Sequence, residues 1–173
     1  PADQPQDPPE LGPKAKAWDA KLTEWKTLLS DMRDLREKYT VAKKEDLSEI
    51  RKQYNGMLEQ GRKLLGELKD AARAAFEEAP NEDRELVRFL VKVAADEIRA
   101  ERYESAFEEA KFLIDHECDD KRIYNVAGIA AYGTNRLSLA KEYLEVAADA
   151  EVLTTEGSDA HKSMQDHDMV KLW

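Results

Sequence analysis

Two stretches of the sequence repeat one pattern at a distance of 34 residues. "ERYESAFEEAKFLID", from Glu101 to Asp115, matches "NRLSLAKEYLEVAAD", from Asn135 to Asp149, and places Ala106 in register with Ala140. A period of 34 residues is typical of helix–turn–helix units that stack on their neighbours and share a core with them. The period therefore predicts stacked helices. It favours a surface that holds another protein over a pocket that does chemistry.

The composition is that of a charged, mostly helical protein. Charged residues make up 37% of the 173 residues and hydrophobic ones 42%, with only 7 Gly and 6 Pro. The formal net charge of −10 argues against a nucleic-acid backbone as partner, because phosphate binding needs clustered Lys and Arg. The one cysteine, Cys118, leaves no disulfide within the chain and fits either a reducing compartment or an exported bacterial protein. No stretch approaches the run of about 20 apolar residues that crosses a membrane.

The two ends of the sequence predict that this chain is a segment of a longer protein. It opens on Pro1, which fits both a cleaved signal peptide and a trimmed segment, and it stops at Trp173 within a helical pattern. Residues 1–13 hold five of the six prolines and show no apolar periodicity. We therefore predict a flexible or polyproline-like leader there.

Apolar residues at helical spacing predict a long, coiled-coil-like hairpin over residues 14–80. In its first helix, which we expect to end near residue 40, steps of four and three connect Trp18, Leu22, Trp25, Leu29 and Met32. Its second helix carries similar steps for about four heptads, and Pro80 ends it. We expect the two stripes to pack antiparallel, with Trp18 and Trp25 in the core.

After Pro80 the pattern changes to short helices joined by short turns, over residues 81–153. Two helix pairs are predicted there, near residues 83–100 and 103–115 and near residues 121–132 and 138–150. A last helix, near residues 158–173 of a C-terminal segment 154–173, caps the stack or leads into the next part of a longer protein. The sequence thus predicts an all-α protein: a long antiparallel helical hairpin, a short repeat stack and a C-terminal helix.

The second copy of the repeat, "IYNVAGIAAYGTNRLSLAKEYLEVAADA", resembles a tetratricopeptide repeat. That repeat has an aromatic residue early in its first helix and small residues where its two helices cross, and the matching positions here are Tyr124, Gly128, Ala140 and Ala147. Gly128 and Ala140 permit a close approach that larger side chains would block. The first copy departs from the pattern, since the same places hold Leu90, Ala94, Ala106 and Leu113.

Two longer stretches, "FLVKVAADEIRAERYESAFEEAKFLID" and "DDKRIYNVAGIAAY", resemble a helical region of some bacterial exported proteins. In those proteins the region precedes a cyclophilin-type peptidyl-prolyl cis-trans isomerase domain. The resemblance implies that this chain is a non-catalytic accessory module and that the catalytic β-barrel follows Trp173. It leaves the location open, with an exported or periplasmic one favoured over the cytoplasm.

The tetratricopeptide resemblance also implies a concave groove lined by the first helix of each pair. The residues implied are Arg88, Val91, Lys92, Ala95 and Arg99 in the first copy and Arg122, Asn125, Ile129 and Tyr132 in the second. The candidate peptide- or partner-binding residues among them are Arg88, Lys92, Arg99, Arg122, Asn125 and Tyr132. Their cations could hold acidic side chains or a C-terminal carboxylate by charge-assisted hydrogen bonds. The family's carboxylate clamp is not reproduced, and the alternative is a solvated helix face with ordinary charges.

Neither a metal site nor a catalytic one is predicted. His116 and Cys118 stand two apart in a predicted turn, and His161 and His167 point to different faces of a helix, so neither pair has a zinc spacing. The chain has three His, one Cys and no glycine elbow for a nucleophile, and we predict no cofactor.

The function predicted is therefore a non-catalytic protein–protein interaction or spacer module. The alternative is a structural or oligomerisation module whose hairpin pairs with a second copy through its apolar stripe.

Overall fold

A computed structural model describes residues 11–171, with side chains up to residue 166. Within that range the chain forms seven helices and no strand, which confirms the predicted all-α class. The helices are α1 (Pro13–Val41), α2 (Leu47–Glu78), α3 (Arg84–Arg99), α4 (Tyr103–Asp115), α5 (Arg122–Gly133), α6 (Leu137–Asp149) and α7 (Thr155–Lys171). Most of the predicted leader, residues 1–10, and the side chain of His167 lie outside the described residues.

The chain divides into two compact units, the first up to Glu78 and the second from Ala79 onward. In the first unit α1 begins with Gly12 as N-cap and Pro13 at the first helical position, where proline is favoured because its φ angle is already helical. The contacts between α1 and α2 pair opposite ends. The Lys14 backbone amide donates to Glu78 Oε2 at 3.1 Å, and Arg51 Nη2 donates to the Tyr39 hydroxyl at 3.1 Å. The two helices therefore run antiparallel.

The core of the first unit joins one stripe from each helix. The buried residues are Trp18, Leu22, Leu28 and Leu35 of α1 and Gly61, Leu64, Leu68, Ala72, Ala75 and Phe76 of α2. Trp18 is 2% exposed, as predicted, whereas Trp25 is half-buried. Leu29, which we placed in the stripe, is 47% exposed, and Leu28 is buried in its place. Periodicity alone could not choose between these neighbours, because they lie at the two edges of one broad apolar face.

The hairpin is less tightly packed towards the α1–α2 turn. No residue of α2 before Gly61 is buried, and a cleft of about 670 Å³ opens between the helices, lined by Leu35, Arg36, Tyr39, Thr40, Ile50, Arg51 and Tyr54. Val41 at the end of α1 is 84% exposed, and Leu58 of α2 is 38% exposed. This end of the hairpin therefore presents apolar surface to solvent.

In the second unit each helix packs on its neighbours along the chain, with α5 at the centre. The helix α3 packs against α4 and α5, α5 packs also against α4 and α6, and α7 packs against α5 and α6. Eight of the twelve residues of α5 are buried. The side chain of Asp83 caps α3 by accepting hydrogen bonds from the amides of Glu85 and Leu86 at 2.8 and 3.1 Å.

The crossing of α5 and α6 depends on a glycine. A Cβ atom at Gly128 would lie 2.5 Å from Leu144 Cγ and 3.2 Å from the Leu144 backbone nitrogen. Leu144 and Ala140, one turn earlier on α6, are both fully buried. The close approach that the sequence predicts at Gly128 is confirmed.

Four turns of the second unit share one backbone geometry. Each follows a helix and has one non-glycine residue in the left-handed region: Glu101 (φ 58°), Glu117 (φ 56°), Asn135 (φ 59°) and Glu151 (φ 56°). At each turn the backbone amide of the following residue donates a hydrogen bond to the carbonyl oxygen five positions earlier. The Arg102 amide, for example, donates to the Glu97 carbonyl oxygen at 2.9 Å. This is the Schellman cap. The turns after α3 and α5 lie 34 positions apart, and so do those after α4 and α6, so the period extends to the backbone.

Replacing Glu101 by glycine is expected to stabilise the second unit by about 0.5–1 kcal/mol. A left-handed residue with a Cβ costs about 1–2 kcal/mol, while glycine loses about 0.5–1 kcal/mol of backbone entropy. Glu101 is exposed. Urea unfolding measures the change, and Glu145→Gly, at an exposed position inside α6, should cost about 1 kcal/mol. Equal destabilisation by both variants would contradict this account of the turn.

Candidate peptide-binding groove

A concave groove in the second unit brings together five of the six predicted site residues. Its volume is about 490 Å³, and its wall is formed by α3, by the first half of α5 and by the segment between α6 and α7. The predicted residues on this wall are Arg88, Lys92, Arg99, Arg122 and Asn125. We call this cavity the basic groove. The sixth residue, Tyr132, lies outside it.

Helical spacing places these side chains on one face of each helix. On α3 the groove residues are Arg88, Val91, Lys92, Ala95 and Arg99, which follow steps of one, three and four. Val91 and Val126 are 6% and 5% exposed and form an apolar floor. The cations stand exposed around that floor. An apolar centre with a polar rim is the usual arrangement of a protein–protein interface.

Two carboxylates partly neutralise the cations. Asp96 pairs with both Lys92, at 2.5 Å, and Arg99, and Asp120 pairs with Arg122. Among the residues that the structure describes, Arg88 makes no ion pair. Four cations therefore face two carboxylates, and the basic groove has a net positive charge in a chain whose formal charge is −10.

Asp120 also fixes the position of Arg122. Its Oδ1 accepts hydrogen bonds from Arg122 Nε at 2.9 Å and from the Arg122 backbone amide at 3.1 Å, and its Oδ2 accepts from Arg122 Nη2 at 2.5 Å. The hydrogen bonds from the Arg122 side chain lower the pKa of the Asp120 carboxyl. Arg122 is thus held at the start of α5 with its guanidinium at the edge of the groove.

Asn125 lines the groove, but its polar atoms are engaged in the fold. It is 4% exposed; its Oδ1 accepts from the Thr154 amide at 3.0 Å, and its Nδ2 donates to Thr154 Oγ1 at 3.2 Å. Thr154 Oγ1 in turn accepts from the Gly157 amide at 3.2 Å, at the start of α7. Asn125 therefore anchors α7. Sequence reasoning missed this role because Thr154 lies 29 positions away.

A second cavity lies further along α5, and Tyr132 belongs to it. Its volume is about 310 Å³, and we call it the aromatic pocket after Tyr103 and Tyr132. The other lining residues are Ile129 and Gly133 of α5 and Glu156, Asp159, Ala160 and Ser163 of α7. The two acidic residues had no signal in the sequence, since acidic side chains are abundant throughout the chain.

The described histidine and cysteine side chains belong to no cluster of metal ligands. Within residues 11–166, whose side chains are described, no three His, Cys, Asp or Glu side chains gather closely enough to hold a metal ion. His116 Nδ1 lies 2.8 Å from the Phe112 carbonyl oxygen. Cys118 is buried, and this burial raises the pKa of its thiol. Among the described helices none is long and apolar enough to span a bilayer.

Comparison with known proteins identifies no similar protein. No protein-family model matches the chain, and no curated protein or solved structure matches it. The function is therefore inferred from the basic groove, the charges around it and the resemblance in the repeat.

Proposed function

We propose that this chain is a non-catalytic protein–protein interaction or spacer module whose basic groove binds an acidic peptide segment or a C-terminal carboxylate. We propose further that it is the N-terminal helical region of a larger bacterial peptidyl-prolyl cis-trans isomerase, with the catalytic domain in another part of that protein. The observation that carries the binding role is the meeting of four cations from α3 and α5 over one apolar floor.

Binding in this groove would combine two effects. Arg88 and Arg122 would donate charge-assisted hydrogen bonds to a carboxylate, because a guanidinium presents paired donors in the geometry of a carboxylate. Val91 and Val126 would contact an apolar neighbour of that acid. Holding a client chain in this way raises its concentration near a linked catalytic domain, so the module assists without a catalytic residue of its own.

A titration with an acidic peptide tests the proposal. The probe is an N-capped peptide with two glutamates and a free C-terminal carboxylate, followed by amide chemical shifts at low salt. We expect shifts in α3 and the first half of α5, weakened as salt is added. Arg88→Ala should weaken binding about two- to fivefold, whereas Arg62→Ala, an exposed arginine of α2, should leave it unchanged. Asp120→Asn, which releases Arg122, should strengthen it.

Three outcomes would overturn parts of the proposal. Absence of shifts in α3 and α5, or equal effects of Arg88→Ala and Arg62→Ala, would remove the binding role. A prolyl isomerase assay on this chain should show no turnover of a proline-containing peptide, beside a cyclophilin-type enzyme as positive control. Measurable turnover would contradict the non-catalytic role.

The alternative function is a structural or oligomerisation module, and the exposed apolar surface of the hairpin favours it. Leu29, Val41 and Leu58 present that surface. Sedimentation at increasing concentration separates the two functions. A monomer supports the binding module, whereas a tight dimer that dissociates on Leu58→Lys supports the scaffold.

A further inference from the structure

The aromatic pocket has the opposite charge to the basic groove. Glu156 and Asp159 line it, both are exposed, and neither forms an ion pair among the described residues. The lining includes no lysine or arginine. Two carboxylates thus lie at the edge of this pocket without an ion-pair partner within the part of the chain whose side chains are described.

The pocket also offers aromatic surface. Tyr103 and Tyr132 both line it, and Tyr132 is 41% exposed. A cation over a tyrosine ring is attracted by the negative face of the ring, and the attraction adds to that of neighbouring carboxylates. Carboxylates beside aromatic rings suit the side chain of a lysine or an arginine.

The helix α5 connects the two cavities. Arg122, Asn125 and Val126 line the basic groove, and Ile129, Tyr132 and Gly133 line the aromatic pocket. These positions follow each other at helical spacing along one face. Arg122 and Tyr132 are ten residues apart, which is about 15 Å along the helix axis. An extended peptide covers that distance in about four or five residues.

We propose that the two cavities together recognise a peptide segment of mixed charge. An acidic residue of the segment lies in the basic groove, and a lysine or arginine about four positions away enters the aromatic pocket beside Glu156 and Asp159. This inference rests on the proposed peptide-binding role of the basic groove and names the ligand more closely. A segment that carries only acids fills one of the two cavities.

Three capped peptides of equal length test the proposal. The first has an aspartate and a lysine four positions apart, the second has glutamine in place of the lysine, and the third has the aspartate and lysine adjacent. We expect the first to bind about three- to fivefold more tightly than the other two at low salt. Only the first should shift the amides of Tyr132, Gly133 and the first turn of α7.

Variants of the aromatic pocket test whether the higher affinity of the first peptide arises there. The double variant Glu156→Gln and Asp159→Asn should remove the advantage of the first peptide and leave the second peptide's affinity unchanged. Both side chains are exposed and without an ion-pair partner among residues 11–166, so the fold should persist. Tyr132→Ala should reduce the same advantage. The matched control is Glu145→Gln with Asp149→Asn on α6, which should change neither affinity.

The outcomes separate this inference from the function on which it rests. If all three peptides bind equally and shift only the basic groove, the mixed-charge inference is wrong and the acidic-peptide function stands. If no peptide shifts α3 or α5, both are wrong. If the first peptide keeps its advantage in the Glu156→Gln and Asp159→Asn variant, the aromatic pocket is not where the lysine binds.

Discussion

Replacing Gly128 by alanine is expected to destabilise the second unit by about 3 kcal/mol, at the upper end of the usual cost of overpacking a core. The added Cβ would lie 2.5 Å from Leu144 Cγ and 3.2 Å from the Leu144 backbone nitrogen. A side chain can rotate away from such a contact, but the backbone of α6 has to move. For a unit of this size, the melting temperature should fall by about 12–24 °C, as measured by calorimetry.

Two controls separate this contact from the general effect of alanine in a helix. Gly66 lies in α2 with nothing near its Cβ position, so Gly66→Ala should stabilise the first unit by about 1 kcal/mol. Leu144→Ala removes the two closest contacts, with Leu144 Cγ and Cδ2, and leaves the contact with the backbone nitrogen. In that background Gly128→Ala should therefore cost less than in the native chain, but not nothing. Additive costs in that double variant would show that the Leu144 contact is not the cause.

Replacing Gly157 by alanine is expected to loosen α7 and to cost about 2–3 kcal/mol. The new Cβ would overlap Asn125 Oδ1, the atom that accepts the Thr154 amide at 3.0 Å. The overlap would displace Asn125 and break its hydrogen bonds to Thr154. Hydrogen exchange should detect faster exchange in the first turns of α7, with less change in α3 and α4.

A second substitution, at Asn125, tests whether the overlap with Asn125 Oδ1 causes the loss of stability. Asn125→Ala alone should cost about 1–2 kcal/mol, because it removes the part-buried hydrogen bonds that Asn125, itself 4% exposed, makes to Thr154. It also removes the atom that Ala at position 157 would meet. The double variant should therefore be more stable than the sum of the single costs predicts, whereas an additive result would exclude the proposed overlap.

Local patterns in the sequence were sufficient for the helices, whereas the groove residues were expected only from the tetratricopeptide resemblance. The predicted short helices agree with α3 to α6 to within about one residue at each end, because apolar spacing depends on residues three and four positions apart. The pairing of Lys92 with Asp96, four residues on, is of the same local kind.

What the sequence did not reveal depends on contacts between distant residues. Asn125 was predicted to bind a ligand, but its hydrogen bonds to Thr154 give it a structural role. Tyr132 belongs to the aromatic pocket rather than the basic groove, because ten residues of α5 are long enough to pass from one cavity to the next. Glu156 and Asp159 line the aromatic pocket with Tyr132 because α7 packs against α5.

The four Schellman turns have a consequence for how this protein can change over time. Their geometry is held by backbone hydrogen bonds, and their left-handed residues point into solvent as Glu or Asn. The angles between successive helices are therefore set without help from those side chains. Exchanges among residues that tolerate the left-handed region, such as Glu, Asn and Gly, can therefore change the charge of the outer surface while the packing of the helices around the basic groove is kept.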